Sequence, residues 1–126
     1  MTLAYWGVLI AAVMPIVFAG ISKAGRKDYD NRNPRVWLSR QAGWRQRANW
    51  AQQNSIEAFP PFAAAVIIAH LAGDSQSAVD GLAAVFVLAR IAYGYCYIND
   101  AAMARSLVWL LGFGCVLALF VVAAVT

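Results

Sequence analysis

The residues of this sequence that are best suited to chemistry form two polar stripes within stretches that are otherwise apolar. The first stripe consists of Arg47, Trp50, Asn54 and Glu57, and the second consists of Arg90, Tyr93, Gly94 and Tyr97. At 100° per residue the first set falls within an arc of about 80° of a helix, and the second falls within a similar arc. Ionisable side chains are costly in apolar surroundings, which makes Glu57 and Arg90 the first candidates for a functional site.

The two stripes are expected to face each other. Consecutive helices joined by a short turn run antiparallel, and Glu57 and Arg90 each lie about seven residues from the same end of their helices. We expect these two residues to form a salt bridge within one subunit, because each charge would otherwise be unpaired in apolar surroundings. Matching their depths pairs the other stripe residues as Asn54 with Tyr93 and Trp50 with Tyr97.

Two interpretations of this arrangement remain open. A buried ion pair between Glu57 and Arg90 could serve only to fix the register of the two helices. A pocket for a polar ligand is the alternative, because further hydrogen-bonding groups fall near the same depth: Gln52, Asn54, Tyr93, Tyr97 and Arg105. Glu57 is the only acid in the stripes, whereas the bases are Arg90 and Arg105, with Lys23, Arg26 and Arg47 as further candidates.

This balance of charge restricts the class of ligand that such a pocket could bind. One acid among several bases suits an anion that also carries an ammonium group, such as a short peptide with two carboxylates. An arginine beside a bound thiol would favour the thiolate form and so lower the pKa of that thiol. No metal site is predicted.

Four apolar stretches position these residues. Residues 3–22, 44–73, 78–98 and 101–125 are predicted to be helices that cross a hydrocarbon core of roughly 30 Å. Of the 126 residues, 62% are hydrophobic, which is too many for an ordinary soluble domain. The sequence therefore predicts an all-α membrane protein, with one domain over residues 1–126 built as a four-transmembrane-helix bundle.

The distribution of charge predicts how the bundle lies in the membrane. Eight of the 10 Lys and Arg residues fall between the first helix and the apolar part of the second: Lys23, Arg26, Lys27, Arg32, Arg35, Arg40, Arg45 and Arg47. The connection 74–80 contains two acids and no base. By the positive-inside rule the first connection is cytoplasmic and both termini lie outside. Because membrane topology accounts for the basic pI of 9.4, no nucleic-acid partner is predicted.

The segment from Arg47 to Pro60, RANWAQQNSIEAFP, resembles the second-helix signature of the MAPEG family, the membrane-associated proteins in eicosanoid and glutathione metabolism. That signature is an Arg followed by N-x-x-E and then a Pro three residues further on. The segment Arg90-Ile91-Ala92-Tyr93 with Tyr97, followed by Arg105-Ser106, is similar to the third helix of the family and the start of its fourth. The resemblance covers nearly the whole chain and points to a bacterial branch of the family.

The resemblance implies a homotrimer that binds glutathione between neighbouring subunits, near the cytoplasmic face. By position, the glutathione-binding residues would be Lys23, Arg47, Gln52, Asn54, Glu57, Arg90, Tyr93, Tyr97 and Ser106. Glu57 would receive the ammonium group, Gln52 would reach the site from an adjacent subunit, and Arg105 would stabilise the thiolate. The chain departs from several family enzymes at Trp50, where those enzymes have a glutathione-binding Arg, and at Ala58, where some have Tyr.

The function that these features favour is a glutathione-dependent membrane transferase or peroxidase. Its thiolate would attack a lipophilic electrophile or hydroperoxide that enters from membrane lipid, in a bacterial inner membrane. The alternative is a non-catalytic membrane trimer that binds lipid or a partner protein, with the polar stripes serving helix register. A small transporter is disfavoured, because the four short spans show no broken-helix repeats.

Overall fold

The computed structural model describes residues 1–126 and contains five helices and no strand. Four of them are long: α1 (Leu3–Lys23), α3 (Gly43–Leu71), α4 (Gln76–Ile98) and α5 (Ala102–Val125). The short helix α2 (Pro34–Ser39) lies in the connection between α1 and α3. The predicted spans 3–22, 44–73, 78–98 and 101–125 correspond in order to the four long helices, so the all-α four-helix prediction is confirmed.

All four long helices can cross a membrane by length and composition, with mean hydropathy of 2.1, 1.2, 1.6 and 2.7 in chain order. The lowest value belongs to α3, because its first half carries the polar stripe and only its second half is continuously apolar. This helix continues through Pro60 and Pro61. The chain is a multi-pass integral membrane protein.

Helices α3 and α4 form the centre of the bundle. Each of them packs against α1 on one side and α5 on the other, and they also pack against each other. The core at this contact is aromatic, with the rings of Phe62 and Phe86 stacked at 3.9 Å between centroids. Small residues such as Ala65 and Ala83 are almost fully buried beside these rings, which lets the helices approach closely.

A glycine permits the close contact between α1 and α4. A Cβ atom added at Gly94 would overlap the ring of Phe18, whose side chain is buried. No other residue type could stand at this position without displacing the ring or the helix. The contact therefore fixes the depth of α1 relative to the polar stripe of α4.

We name the end of the bundle that carries the connection 24–42 the basic end. Here Ser22 and Arg45 tie α1 to α3 through two hydrogen bonds: Ser22 Oγ donates to the Arg45 carbonyl at 2.8 Å, and Arg45 Nη1 donates to the Ser22 carbonyl at 3.0 Å. At the opposite end, Asp80 Oδ1 accepts from the Ala4 amide at 2.9 Å and so caps α1 from a neighbouring helix.

The turn between α4 and α5 is tight and lies at the basic end. The amide of Ala101 donates to the Cys96 carbonyl at 2.8 Å, and the amide of Asp100 donates to the Tyr97 carbonyl at 3.1 Å. This is the Schellman arrangement, with Asp100 in the left-handed conformation at φ 59°. The turn sets where α5 begins, and thereby sets the position of Arg105 one turn later.

Candidate functional site

Two open cavities near the basic end form a continuous groove between α3, α4 and α5, which we name the polar groove. One, of about 350 Å³, is lined by Trp50, Gln53, Asn54, Glu57, Tyr93 and Tyr97. The other, of about 390 Å³, is lined by Asn54, Tyr93, Tyr97, Arg105, Ser106, Trp109 and Leu110. The two cavities share three residues. The structure thus brings together six of the predicted site residues: Asn54, Glu57, Tyr93, Tyr97, Arg105 and Ser106.

The two stripes face each other, and their residues are paired at the predicted depths. The rings of Trp50 and Tyr97 lie 6.2 Å apart between centroids, and Asn54 shares both cavities with Tyr93. Tyr93 and Tyr97 meet edge to face, with centroids 5.6 Å apart and an interplanar angle of 89°. Because edge-to-face contact is a favourable aromatic geometry, these rings form an ordered wall on one side of the groove.

The predicted salt bridge between Glu57 and Arg90 is wrong, since the only ion pair in the chain joins Arg26 to Asp28. Arg90 is 3% exposed; its Nη2 donates to Ser55 Oγ at 3.3 Å, and its Cζ lies 4.1 Å from the centroid of the Tyr93 ring. The guanidinium therefore has its partners inside the bundle, a hydroxyl and an aromatic face, rather than Glu57.

Glu57, by contrast, is exposed and lines a third cavity, of about 150 Å³, which Arg90 also lines. The wall of this cavity on α5 consists of Trp109 and Phe113, whose rings stack at 5.3 Å. The carboxylate has no cationic partner within the chain. An unpaired charge is costly in apolar surroundings, which makes Glu57 a candidate to bind a cationic group.

Arg105 turns toward the groove rather than away from the bundle. Its Cζ lies 4.5 Å from the centroid of the Tyr97 ring, and the side chain is half-buried. No carboxylate pairs with it. Ser106, the next residue, lines the same cavity. The groove therefore holds one free cation, Arg105, and one free anion, Glu57.

Besides Arg90, three other predicted site residues lie outside the groove. Lys23 Nζ lies over the ring of Tyr29 at 4.4 Å, and Arg47 Nε donates to the Ile98 carbonyl at 3.0 Å, which caps the end of α4. Gln52 does not line the groove, but its Oε1 is buried without a hydrogen-bond partner. Within one subunit, neither Lys23 nor Arg47 adds a base to the site.

Sequence reasoning missed four residues of the site or its support: Ser55, Gln53, Trp109 and Leu110. Trp109 follows Arg105 by four residues and therefore lies on the same helix face, a spacing that could have indicated it. Ser55 had no such signal, because its role depends on which way the Arg90 side chain turns.

Comparison with known proteins adds to this geometry. A sequence model of the MAPEG family matches residues 3–125. A search of curated proteins finds no match. The matched region contains all four membrane-spanning helices and every residue of the polar groove. The chain therefore belongs to the MAPEG family.

Proposed function

We propose that the chain is a glutathione-dependent membrane transferase or peroxidase that acts on a lipophilic electrophile, with Arg105 stabilising the thiolate. The observation that carries this proposal is the inward position of Arg105 in a groove that it shares with Asn54 and Tyr93. Its charge is not neutralised by any acid of the chain. Family membership supports a role in glutathione or eicosanoid metabolism.

The groove has groups that match a tripeptide thiol. Glu57 is available to an ammonium group, because it is exposed and has no cationic partner. Asn54 Oδ1 is a buried acceptor without a donor, and such an atom is costly unless a ligand or a neighbouring subunit supplies one. The two cavities of about 350 Å³ and 390 Å³ together suit a peptide of this size.

The proposed reaction is a nucleophilic attack by the glutathione sulfur on the electrophile. The bound thiol loses its proton, and the guanidinium of Arg105 lowers the pKa of that thiol by stabilising the anion. The sulfur then forms a bond to an electrophilic carbon while the leaving group departs with its electron pair. With a hydroperoxide, the sulfur would instead bond to the terminal oxygen as the O–O bond breaks and the alcohol leaves, and a second glutathione thiol would convert the resulting sulfenic acid to the disulfide and water. The chain contributes positioning and charge stabilisation.

We also propose a homotrimer, as the family resemblance implies. The exposed charge of Glu57 lacks a partner within the subunit, and the buried Oε1 of Gln52 lacks a hydrogen-bond donor. A neighbouring subunit would supply these groups, with Gln52 reaching the adjacent site. We further propose a bacterial inner membrane location, with the basic connection in the cytoplasm and both termini outside.

The alternative is a non-catalytic trimer that binds lipid or a partner protein, with the polar stripes serving helix register, and an ion pair between Glu57 and Arg90 would have supported it. That pair is not formed. The hydrogen bond from Arg90 to Ser55 serves packing of the two helices, whereas the unpaired charges of Glu57 and Arg105 support a ligand site.

The test is a titration of glutathione against the purified protein in detergent, followed by difference absorbance of the thiolate in the ultraviolet. A second measurement follows conjugation of glutathione to an aromatic electrophile. We expect a saturable thiolate signal near neutral pH together with conjugation. Absence of both at millimolar glutathione would contradict the proposed function, and binding without either signal would favour a non-catalytic ligand site.

A further inference from the structure

Arg105 has an unusual environment for an arginine in a membrane protein. Its one close partner in the chain is the ring of Tyr97, with Cζ 4.5 Å from the ring centroid. A carboxylate at this place would hold the guanidinium but would also neutralise it and occupy its donors. An aromatic face attracts the cation through its quadrupole and leaves the N–H groups at the guanidinium edge free.

The Tyr97 ring is itself fixed from two other directions. Trp50 of α3 contacts it at a tilt of 44°, and Tyr93 of α4 meets it edge to face at 89°. Tyr93 is buried and lies under the guanidinium of Arg90. The order Arg90, Tyr93, Tyr97, Arg105 is thus a series of two adjacent rings with a cation over each end, the buried Arg90 at one end and Arg105 in the groove at the other.

The series explains what Trp50 does in this chain. An arginine at position 50 would add a second cation beside Tyr97 and compete with Arg105 for the ring. The indole of Trp50 instead packs against the Tyr97 ring and helps to hold it in place from the α3 side. The position of Arg105 therefore depends on aromatic contacts contributed by both α3 and α4.

We propose that Tyr97 is the positioning residue for Arg105: its ring holds the guanidinium over the groove with the donors free for an anion. The inference rests on the proposed function, because the anion is the thiolate of the bound substrate. The ring is the part of Tyr97 that acts, and the hydroxyl is not needed for this role.

The experiment compares Tyr97→Phe, Tyr97→Leu, Arg105→Leu and the double variant Tyr97→Leu/Arg105→Leu in the purified full chain. The readout is the pH midpoint of the glutathione thiolate absorbance, with kcat and KM for an aromatic electrophile. Tyr97→Phe keeps the wild-type midpoint. Tyr97→Leu raises it by about one unit and lowers kcat about tenfold, with a smaller effect on KM. In the double variant the loss of Tyr97 adds nothing, because it acts through Arg105.

A second readout does not depend on glutathione. An arginine-specific dicarbonyl reagent labels exposed guanidinium groups, and peptide mass spectrometry measures labelling at position 105. We expect faster labelling in Tyr97→Leu than in wild type or Tyr97→Phe, because the ring covers one face of the guanidinium. Equal labelling rates in all three proteins, or effects of the two substitutions that multiply in the double variant, would overturn the positioning role. Loss of the thiolate signal in wild type itself, with the labelling difference intact, would overturn the proposed function instead.

Discussion

Arg90 Nη2 donates a hydrogen bond to Ser55 Oγ at 3.3 Å, and this bond joins the two central helices beneath the polar groove. The guanidinium is almost fully buried, so each hydrogen bond that it makes offsets part of a large desolvation cost.

Removal of that hydroxyl should destabilise the bundle. We expect Ser55→Ala to lower the free energy of unfolding by about 1–3 kcal/mol, since a buried cation loses an acceptor. The measurement is the midpoint of thermal unfolding in one detergent. Ser77→Ala is the matched control, because Ser77 is exposed near the start of α4. Equal midpoints for the two variants would mean that the bond to Ser55 contributes nothing to stability.

Replacement of Arg105 should separate chemistry from binding. We expect Arg105→Leu to reduce conjugation of an aromatic electrophile by about tenfold or more, the loss typical of one electrostatic stabiliser, while glutathione affinity is largely retained. Arg32→Leu serves as the control, because Arg32 is an exposed arginine in the connection between α1 and α3. A parallel fall in affinity and rate would show that Arg105 binds the ground state rather than the thiolate.

Replacement of Glu57 should impair glutathione binding rather than thiolate stabilisation. We expect Glu57→Gln to weaken glutathione binding by about tenfold or more, because the ammonium group loses a charged partner worth roughly 1.5–3 kcal/mol. The pH midpoint of the remaining thiolate signal should stay at the wild-type value. The measurement is a binding titration by calorimetry or absorbance. Unchanged affinity would exclude Glu57 as the ammonium ligand.

The contact between Phe18 and Gly94 gives a prediction about the scaffold alone. Gly94→Ala should lower the thermal midpoint, because the added methyl overlaps the buried ring and overpacking typically costs about 1–3 kcal/mol. Gly114→Ala is the matched control: a Cβ there meets nothing within 4 Å, so the higher helix propensity of Ala should leave stability equal or slightly increased. A stable Gly94→Ala protein would mean that α1 can shift away from α4.

Substitutions at Asp100 test whether the turn between α4 and α5 determines the position of Arg105. Asp100→Gly should keep or raise stability, because glycine adopts the left-handed conformation without the cost of roughly 1–2 kcal/mol that other residues bear. Asp100→Val should lower stability and also shift the thiolate midpoint upward, because the start of α5 moves and carries Arg105 with it. Thermal unfolding and the absorbance titration measure the two effects. A thiolate midpoint unaffected by valine would show that Arg105 is placed independently of the turn.

Depth along the helices could be predicted from the sequence, and direction around them could not. Matching positions on antiparallel helices brought Trp50 beside Tyr97, as the structure confirms. The same reasoning failed for Arg90, because Ser55 and Glu57 lie at nearly the same depth but point about 160° apart on α3. Arg90 faces the inner of these two residues. Helix rotation is set by packing of side chains such as Phe62 and Phe86, which no spacing rule contains.

The roles of individual basic residues could not be predicted from the sequence either. Hydropathy and charge counts correctly predicted four helices, but they could not distinguish a base that binds a ligand from one that caps a helix. Arg47 lies on the polar arc of α3, yet its side chain reaches the free carbonyl of Ile98. Helix ends in a membrane protein have unsatisfied carbonyls that attract any nearby arginine.

The two consecutive prolines of α3 have a consequence for the electrostatics of the groove. Neither Pro60 nor Pro61 has an amide hydrogen, so the carbonyls of Ile56 and Glu57, four residues earlier, lose the donors that an uninterrupted helix would provide. Two partial negative charges therefore lie within one turn of Glu57. The backbone itself thus adds to the attraction for a cation at this depth, and a substrate ammonium would meet an electronegative site of which the carboxylate is only one part.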